Sequence, residues 1–183
     1  DKSTAIIMAV ADPGIILKTK DGGQTWYKVF EDTAKGMFLD AMHFYKKTGI
    51  VVGDPIHGKI YLRYTDDAGE SWTEKLAAAP FVTEGEACFA SSGSNILLRK
   101  DGGYLLVTGG IKSNLYADNS TLPLDIIQGR ESTGANSIAT YKNKYFTIVG
   151  GDFTNDKNPT GNCLFTADLK NGFHKPATPP HGY

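Results

Sequence analysis

The sequence predicts an all-β protein, because helical periodicity is absent and short β-rich runs alternate with Gly, Asn, Asp and Pro. Two octets begin 46 residues apart, Thr19-Lys-Asp-Gly-Gly-Gln-Thr-Trp26 and Thr65-Asp-Asp-Ala-Gly-Glu-Ser-Trp72, and both fit Ser/Thr-x-Asp-x-Gly-x-Thr/Ser-Trp. A period of about 40–50 residues is the length of one four-stranded propeller blade. The sequence therefore predicts a β-propeller built from four-stranded antiparallel blades.

About four blades are present, at roughly residues 1–34, 35–80, 81–130 and 131–183, and they form a single domain or part of one. The first blade lacks its inner strand. Runs of β-formers bounded by turn residues predict the strands. In chain order these are Ala5–Val10, Ile15–Thr19, Tyr27–Phe30; Leu39–Tyr45, Gly49–Gly53, Ile60–Thr65, Thr73–Leu76; Ala87–Ser91, Asn95–Lys100, Tyr104–Thr108, Ser113–Ala117; Ser137–Tyr141, Lys144–Val149, Asn162–Thr166, and a hairpin at Asp168–Phe173.

Each octet reads as a hairpin turn with its own internal hydrogen bonds. Asp21 can accept from backbone N–H groups of the turn, and Gly23 can take the positive φ that a tight bend requires. The hydroxyls of Thr19 and Thr25 can bond across the turn, and Trp26 supplies a large apolar side chain beneath it. The second octet repeats these roles at Thr65, Asp67, Gly69, Ser71 and Trp72. We expect all ten residues to be structural.

Two further aspartates mark degenerate copies of the octet. Asp118 follows Leu115-Tyr-Ala, and Asp168 follows Phe165-Thr-Ala, without a tryptophan in either case. Four blades in an open arc leave two inner faces unpaired, and propellers protect their sheet edges by radial closure. We therefore expect this chain to be part of a six- or seven-bladed ring, closed by further blades of the same chain or by another copy.

Composition limits the function classes. The formal net charge is −1 with both signs interspersed, which gives no case for nucleic acid. No apolar run approaches the roughly 20 residues of a membrane span. The spacing of Cys88 and Cys163 fits neither a metal site nor a redox motif. Two free thiols are the favoured interpretation, and a disulfide between them is the alternative. The histidines show no metal-ligand spacing either. We therefore expect no metal and no cofactor.

The octet resembles the Asp-box, or BNR repeat, of sialidases, sortilin-type receptors and the photosystem II assembly propeller. Stretches around the octets resemble more closely the bacterial WD40/YVTN/BNR-like repeat proteins, common in Bacteroidetes and often labelled "oxidoreductase". The segments that carry this resemblance are 38–44, 49–55 with Gly58, 85–93, 108–110, 149–152 and 179–183. The resemblance implies a secreted or periplasmic protein whose chain continues on both sides. A redox activity has no support, because neither Gly-x-Gly-x-x-Gly nor Cys-x-x-Cys occurs.

Binding residues are expected at the loop ends of inner strands, which line the central funnel of a propeller. Asp12, Asp54 and Asp152 recur at equivalent places, each near Pro or Gly. Glu86 lies at the start of a predicted inner strand, and Glu84 can join it. Converging carboxylates serve as an acid–base pair or as ligands for a hard cation. The alternative is that each aspartate caps its own turn.

Two functions follow. The first is a non-catalytic scaffold that binds a protein partner in the cell envelope or outside the cell. The alternative is a glycoside hydrolase-like, sialidase-type or glycan-binding propeller that uses Glu86 with Asp54 or Asp152. The sequence does not decide whether the protein is an enzyme, and it favours a non-catalytic function. A complete sialidase site is not expected, because Arg63, Arg99 and Arg130 are the only arginines and Arg63 leads into an octet.

Overall fold

A computed structural model describes residues 2–74, 79–118 and 120–181 of the chain. The residues it describes form fifteen strands and one short 3-10 helix at Leu169–Asn171. The strands are β1 (Ala5–Met8), β2 (Gly14–Thr19), β3 (Tyr27–Asp32), β4 (Leu39–Tyr45), β5 (Thr48–Ile56), β6 (Lys59–Thr65), β7 (Glu86–Ala87), β8 (Ile96–Leu98), β9 (Tyr104–Val107), β10 (Gly109–Gly110), β11 (Asn114–Ala117), β12 (Ser120–Pro123), β13 (Thr133–Tyr141), β14 (Tyr145–Asp152) and β15 (Cys163–Thr166).

Four antiparallel sheets follow one another along the chain. The first sheet is β1-β2-β3, the second is β4-β5-β6, the third is β8-β9-β11-β12, and the fourth is β13-β14-β15 with β10 and β7 added beside β13. Strand β4 of the second sheet contacts β8 of the third, and β8 contacts β13 of the fourth, so these three strands lie side by side. The first sheet, which begins at β1, has no counterpart of these three strands among the described residues. The predicted all-β propeller of antiparallel sheets is confirmed.

The core consists of three apolar clusters, each lying between two neighbouring sheets. Successive strand residues point to opposite faces, so one strand serves two clusters. On β5, Val51 packs toward the first sheet, whereas Ile50 and Val52 pack toward the third. The third cluster joins Leu105 and Leu115 to Ile138, Ile148 and Leu164 of the fourth sheet. Each fully buried aliphatic side chain contributes roughly 1.5–3 kcal/mol, so contact between sheets provides most of the stability.

The two octets form turns closed by their own aspartates. Asp21 accepts hydrogen bonds from the Thr25 amide (2.9 Å), the Thr25 hydroxyl (2.6 Å) and the Thr19 hydroxyl (2.7 Å). The Thr25 hydroxyl, followed by the other donors, lowers the pKa of Asp21 to about 2. In the second turn, Asp67 accepts the equivalent bonds from Ser71 and Thr65. Gly23 and Gly69 have φ values of +93° and +81°, the region where glycine carries no Cβ penalty.

The tryptophans of the two turns differ in burial. Trp72 is 8% exposed, whereas Trp26 is 39% exposed. Trp72 packs edge to face against Phe44, with ring centroids 5.8 Å apart, and shares its cluster with Ile6 of the first sheet. Trp26 has no such cover, and its Nε1 donates to the Gly23 carbonyl oxygen at 3.1 Å. Phe44 of the same sheet and Ile6 of the preceding sheet therefore account for the deeper burial of Trp72.

A lysine of the first sheet also binds the second turn. The amine of Lys18, which is 2% exposed, donates to the Ala68 carbonyl oxygen and to the Glu70 carboxylate, both at 2.7 Å. Lys20 adds a second ion pair to Glu70 at 2.8 Å. These hydrogen bonds and ion pairs therefore anchor the turn after β6 to the preceding sheet.

The degenerate turns differ from each other. Asp168 organises its turn as the full octets do, because its amide donates to the Thr166 hydroxyl and its carboxylate accepts from the Lys170 amide. Asp118 instead accepts from the Tyr104 amide at 3.1 Å and pairs with Arg99 at 2.9 Å. Its carboxylate therefore fastens the hairpin to the strand beside it.

The third sheet departs from the predicted strands. Its leading strand is β8, whereas the predicted strand at 87–91 is limited to the two residues of β7, which join the fourth sheet through β10. The chain turns at Phe89, whose carbonyl oxygen accepts from both the amide and the hydroxyl of Ser92. The outer strand β12 was not predicted. In the second blade, Thr73 pairs with Tyr64, while Leu76 lies outside the described residues.

Candidate functional site

A cleft of about 600 Å³ lies where the β5–β6 turn meets the segment before β7. The turn contributes Asp54, His57 and Gly58, and the segment contributes residues 82–87. The amide of Val82 donates to the Gly58 carbonyl oxygen at 2.9 Å, which holds the two walls together. Asp54, Glu84 and Glu86 all line this cleft, so the structure brings three of the predicted carboxylates to one place.

Asp54 is held in the cleft wall at an irregularity of β5. The β5–β6 register shifts between Gly53 and Ile56, and the Asp54 amide donates to the Phe38 carbonyl oxygen at 3.0 Å. Its Oδ1 accepts from the Cys88 amide at 2.9 Å. Burial raises the pKa of Asp54, although the Cys88 amide opposes the shift. A half-buried carboxyl of this kind retains its proton to a higher pH than an exposed aspartate does.

A second aspartate, Asp40, which was not among the predicted site residues, lies behind the first. Asp40 sits on β4 where the β4–β5 register shifts between Leu39 and Ala41, and it is 1% exposed. Neither carboxylate oxygen accepts a well-formed hydrogen bond from the residues described, although the Ala90 amide is near enough to act on the pKa. Burial, and secondarily the charge of Asp54, raise the pKa of Asp40 to about 8, against a small lowering by the Ala90 amide. The carboxyl of Asp40 is therefore largely protonated at neutral pH.

The sequence contains a signal for Asp40, because this charged residue lies inside a predicted strand between Leu39 and Ala41. In a strand covered on both faces such a side chain is buried, and burial displaces the pKa of a carboxyl group. The predicted aspartates Asp12, Asp54 and Asp152 all lie beside Pro or Gly, where a loop begins, and Asp40 does not.

Glu86 is fixed by hydrogen bonds from three directions. Its Oε1 accepts from the Thr83 amide at 2.9 Å, and its Oε2 accepts from the Thr108 hydroxyl at 2.7 Å and the Tyr116 hydroxyl at 2.8 Å. Burial is the largest influence and raises the pKa of Glu86, but the hydrogen bonds together outweigh it and leave the pKa below its ordinary value. Glu86 is therefore an immobile carboxylate anion beneath the cleft, 4% exposed.

The other two predicted aspartates do not line this cleft. Asp152 accepts from the Thr154 amide at 2.9 Å and the Thr154 hydroxyl at 2.6 Å, and the hydroxyl is the larger influence that lowers its pKa. This is the turn-capping arrangement that the sequence analysis weighed against a binding role. Asp12 is exposed in the loop between β1 and β2.

Three other kinds of side chain are relevant to function: possible metal ligands, the two cysteines, and the arginines that a sialidase would need. The described part of the chain holds no group of three or more His, Cys, Asp and Glu side chains able to bind a metal ion, and no helix in it is long and apolar enough to cross a membrane. Cys88 and Cys163 are free thiols, and burial raises the pKa of Cys88. Arg63 pairs with Asp32 at 3.1 Å, away from the Arg99–Asp118 pair.

No family model matches the chain, and no curated protein matches it. Three similar solved structures are a GH74 enzyme of Niastella koreensis (14% identity, TM-score 0.52, 90% of this chain and 26% of that one), a GH93 α-L-arabinofuranosidase of Fusarium graminearum with arabinobiose (14%, 0.52, 85% and 55%) and a GH74 xyloglucanase of Xanthomonas campestris (13%, 0.51, 100% and 31%). These proteins are β-propeller glycoside hydrolases. At such identities the likeness shows the fold alone.

The chain spans between 26% and 55% of the length of these three proteins. These comparisons show that the chain has a β-propeller fold. The closer resemblance to the WD40/YVTN/BNR-like repeat group stays a prediction.

Proposed function

We propose that this propeller binds glycans and cleaves a glycosidic bond in the cleft beside Asp54. The observation that carries the proposal is one cleft lined by two carboxyl groups open to a ligand, the half-buried Asp54 with its raised pKa and the exposed Glu84. Glycoside hydrolysis uses two carboxyl groups, a proton donor whose pKa is raised and a second carboxylate.

Asp54 takes the role of proton donor. A general acid works best when its pKa lies near the working pH, and burial moves the pKa of Asp54 in that direction. Asp40 lies behind it, and ionisation of Asp54 favours the protonated form of Asp40, so the two carboxyl groups together retain a proton at pH 7.

The second carboxylate is assigned to Glu84. It is exposed and lines the same cleft, so it can reach a bound sugar or a water molecule. Glu86 already accepts three hydrogen bonds, and its burial keeps it from the substrate. We therefore give Glu86 a positioning role: it fixes Thr83 and, through it, the wall that carries Glu84.

The test is hydrolysis of a panel of soluble polysaccharides, measured as newly formed reducing ends. Asp54→Asn should lower the rate on the order of 100-fold or more, the usual contribution of a general acid, while glycan binding persists. Asp101→Asn is the matched control, because Asp101 lies in the β8–β9 turn away from the cleft. Equal rates for Asp54→Asn and the native chain, or no binding to any glycan, would contradict the proposal.

The non-catalytic scaffold remains the second candidate. One observation favours it: Glu86 and Asp152, two of the predicted carboxylates, are engaged by hydrogen bonds within the protein and not offered to a ligand. A protein partner would then bind the propeller without chemistry. Capture of a protein partner by the Asp54→Asn variant as efficiently as by the native chain, with no hydrolysis by either, would favour this function. A location in the cell envelope or outside the cell is proposed for both.

A further inference from the structure

A groove of about 730 Å³ lies between the third and fourth sheets, and no residue lines both this groove and the cleft beside Asp54. Three separate segments contribute an exposed lysine to it: the β8–β9 turn contributes Lys100, the β13–β14 turn Lys144, and the 3-10 helix after β15 Lys170. The volume is in the range of sites that bind small molecules. We call this feature the lysine groove.

The three lysines have no carboxylate partner. None of them forms an ion pair within the part of the chain that the structure describes. Lys144 places its amine over the ring of Tyr145, 5.3 Å from the ring centroid. All three ammonium groups are therefore available to an anion that enters the groove.

The carboxylates that line the lysine groove are engaged by other groups. Asp101 and Asp118 both pair with Arg99, at 3.1 and 2.9 Å. Asp168 accepts a hydrogen bond from the Lys170 amide at 3.0 Å, within its own turn. The groove thus contains three cations without a counter-charge, whereas its carboxylates are held by neighbouring groups.

The groove between the first and second sheets shows how the same fold neutralises such cations. There Glu70, in the turn after β6, pairs with Lys18 at 2.7 Å and with Lys20 at 2.8 Å. The segment after β15 has no glutamate at residues 167–171 and contributes Lys170 to its groove. The chain itself supplies the anion in the first groove, and a bound anion would take that place in the lysine groove.

We propose that the lysine groove binds an acidic oligosaccharide, whose carboxylate groups pair with Lys100, Lys144 and Lys170. Because the three lysines come from three segments, they match an extended ligand with several charges better than a single small ion. The side-chain amide of Asn143 and the hydroxyl of Ser120 line the same groove, and both can form hydrogen bonds with sugar hydroxyl groups. This binding needs no chemistry in the cleft, so it goes beyond the proposed hydrolysis.

Isothermal titration calorimetry with an oligogalacturonate tests the proposal. The fully methyl-esterified oligosaccharide of the same length is the matched ligand, because it lacks only the charges. We expect the acidic form to bind, with an affinity that falls as salt screens the exposed charges, and the ester not to bind measurably. Equal binding of the two forms, or no binding of the acidic form, overturns the proposal. An oligoglutamate peptide of equal charge that binds as tightly as the sugar overturns the assignment to an oligosaccharide.

Substitutions locate the binding. Lys144→Gln and Lys170→Gln should each weaken binding about 2- to 5-fold, as for other exposed charge pairs, and the triple variant with Lys100→Gln on the order of tenfold or more. Lys35→Gln is the matched control, since it removes the same charge from the β3–β4 loop. Asp54→Asn should bind like the native chain whether or not the cleft is catalytic. A triple variant with native affinity overturns the proposal, and so does a loss of binding in Asp54→Asn, which would place the sugar in the cleft.

Discussion

The buried carboxyl of Asp40 should make the stability of the protein fall as the pH rises from about 5 to about 8. Its pKa is about 8 in the folded chain, against an ordinary value of 3.8 that applies once the chain unfolds. Between these values the folded state holds a proton that the unfolded state has released. The free energy of unfolding therefore decreases with pH, by up to about 1.4 kcal/mol for each pH unit.

The accumulated effect between pH 5 and pH 8 is about 4 kcal/mol, because the folded chain keeps Asp40 protonated over roughly three pH units in this window. Asp40→Asn replaces the protonated carboxyl by a neutral group of the same shape. The variant should therefore lose most of the pH dependence in this window and should be more stable than the native chain at pH 8. Urea unfolding followed by tryptophan fluorescence, at closely spaced pH values, measures both effects.

Asp101→Asn is the control for this experiment. The Gly103 amide, as the largest influence, lowers the pKa of Asp101, so the group has finished titrating below the window. Its replacement should leave the slope unchanged. A native chain whose unfolding free energy is constant between pH 5 and 8 would refute the reasoning, and so would an Asp40→Asn variant with the native slope.

Two further substitutions test the packing. Trp72→Ala should cost about 3–5 kcal/mol, as for other buried aromatic residues, whereas Trp26→Ala should cost less than half as much because more of its ring is exposed; equal losses in chemical unfolding would contradict the role of Phe44 as cover. Tyr116→Phe removes a hydrogen bond to the buried Glu86 and should cost about 1–3 kcal/mol while raising the pKa of Glu86. An unchanged melting temperature would show that Tyr116 is not needed to hold that anion.

The architecture was accessible from the sequence because two turns carry their own hydrogen-bond partners. Asp21 and Asp67 bond to side chains and amides within four residues, so local spacing alone identifies the turn and the interval between turns gives the sheet period. Asp168 could be recognised for the same reason. Asp118 has the same chemistry but bonds to Arg99 and Tyr104, which lie 19 and 14 residues away, and no local pattern reveals that arrangement.

The candidate site was only partly accessible, since its properties depend on contacts between distant segments. Asp54 was predicted from its turn and Glu86 from its place at the start of a predicted inner strand, but nothing local shows that the Cys88 amide reaches Asp54 or that Tyr116 reaches Glu86. The pKa of a carboxyl depends on burial and on neighbours from other strands. Asp40 shows this most clearly, because its neighbour Asp54 approaches it only when β4 pairs with β5.

The bond from Lys18 to the second turn has a consequence for how the chain unfolds. Because the turn after β6 takes a cation, Lys18, and part of the cover over its tryptophan, Ile6, from the sheet before it, the second sheet is complete only when the first is folded. In such a series each unit depends on its nearest neighbour, and fraying starts at an end and spreads. Damage to β1 would therefore loosen Trp72, more than sixty residues further along the chain, before any strand of the second sheet separates.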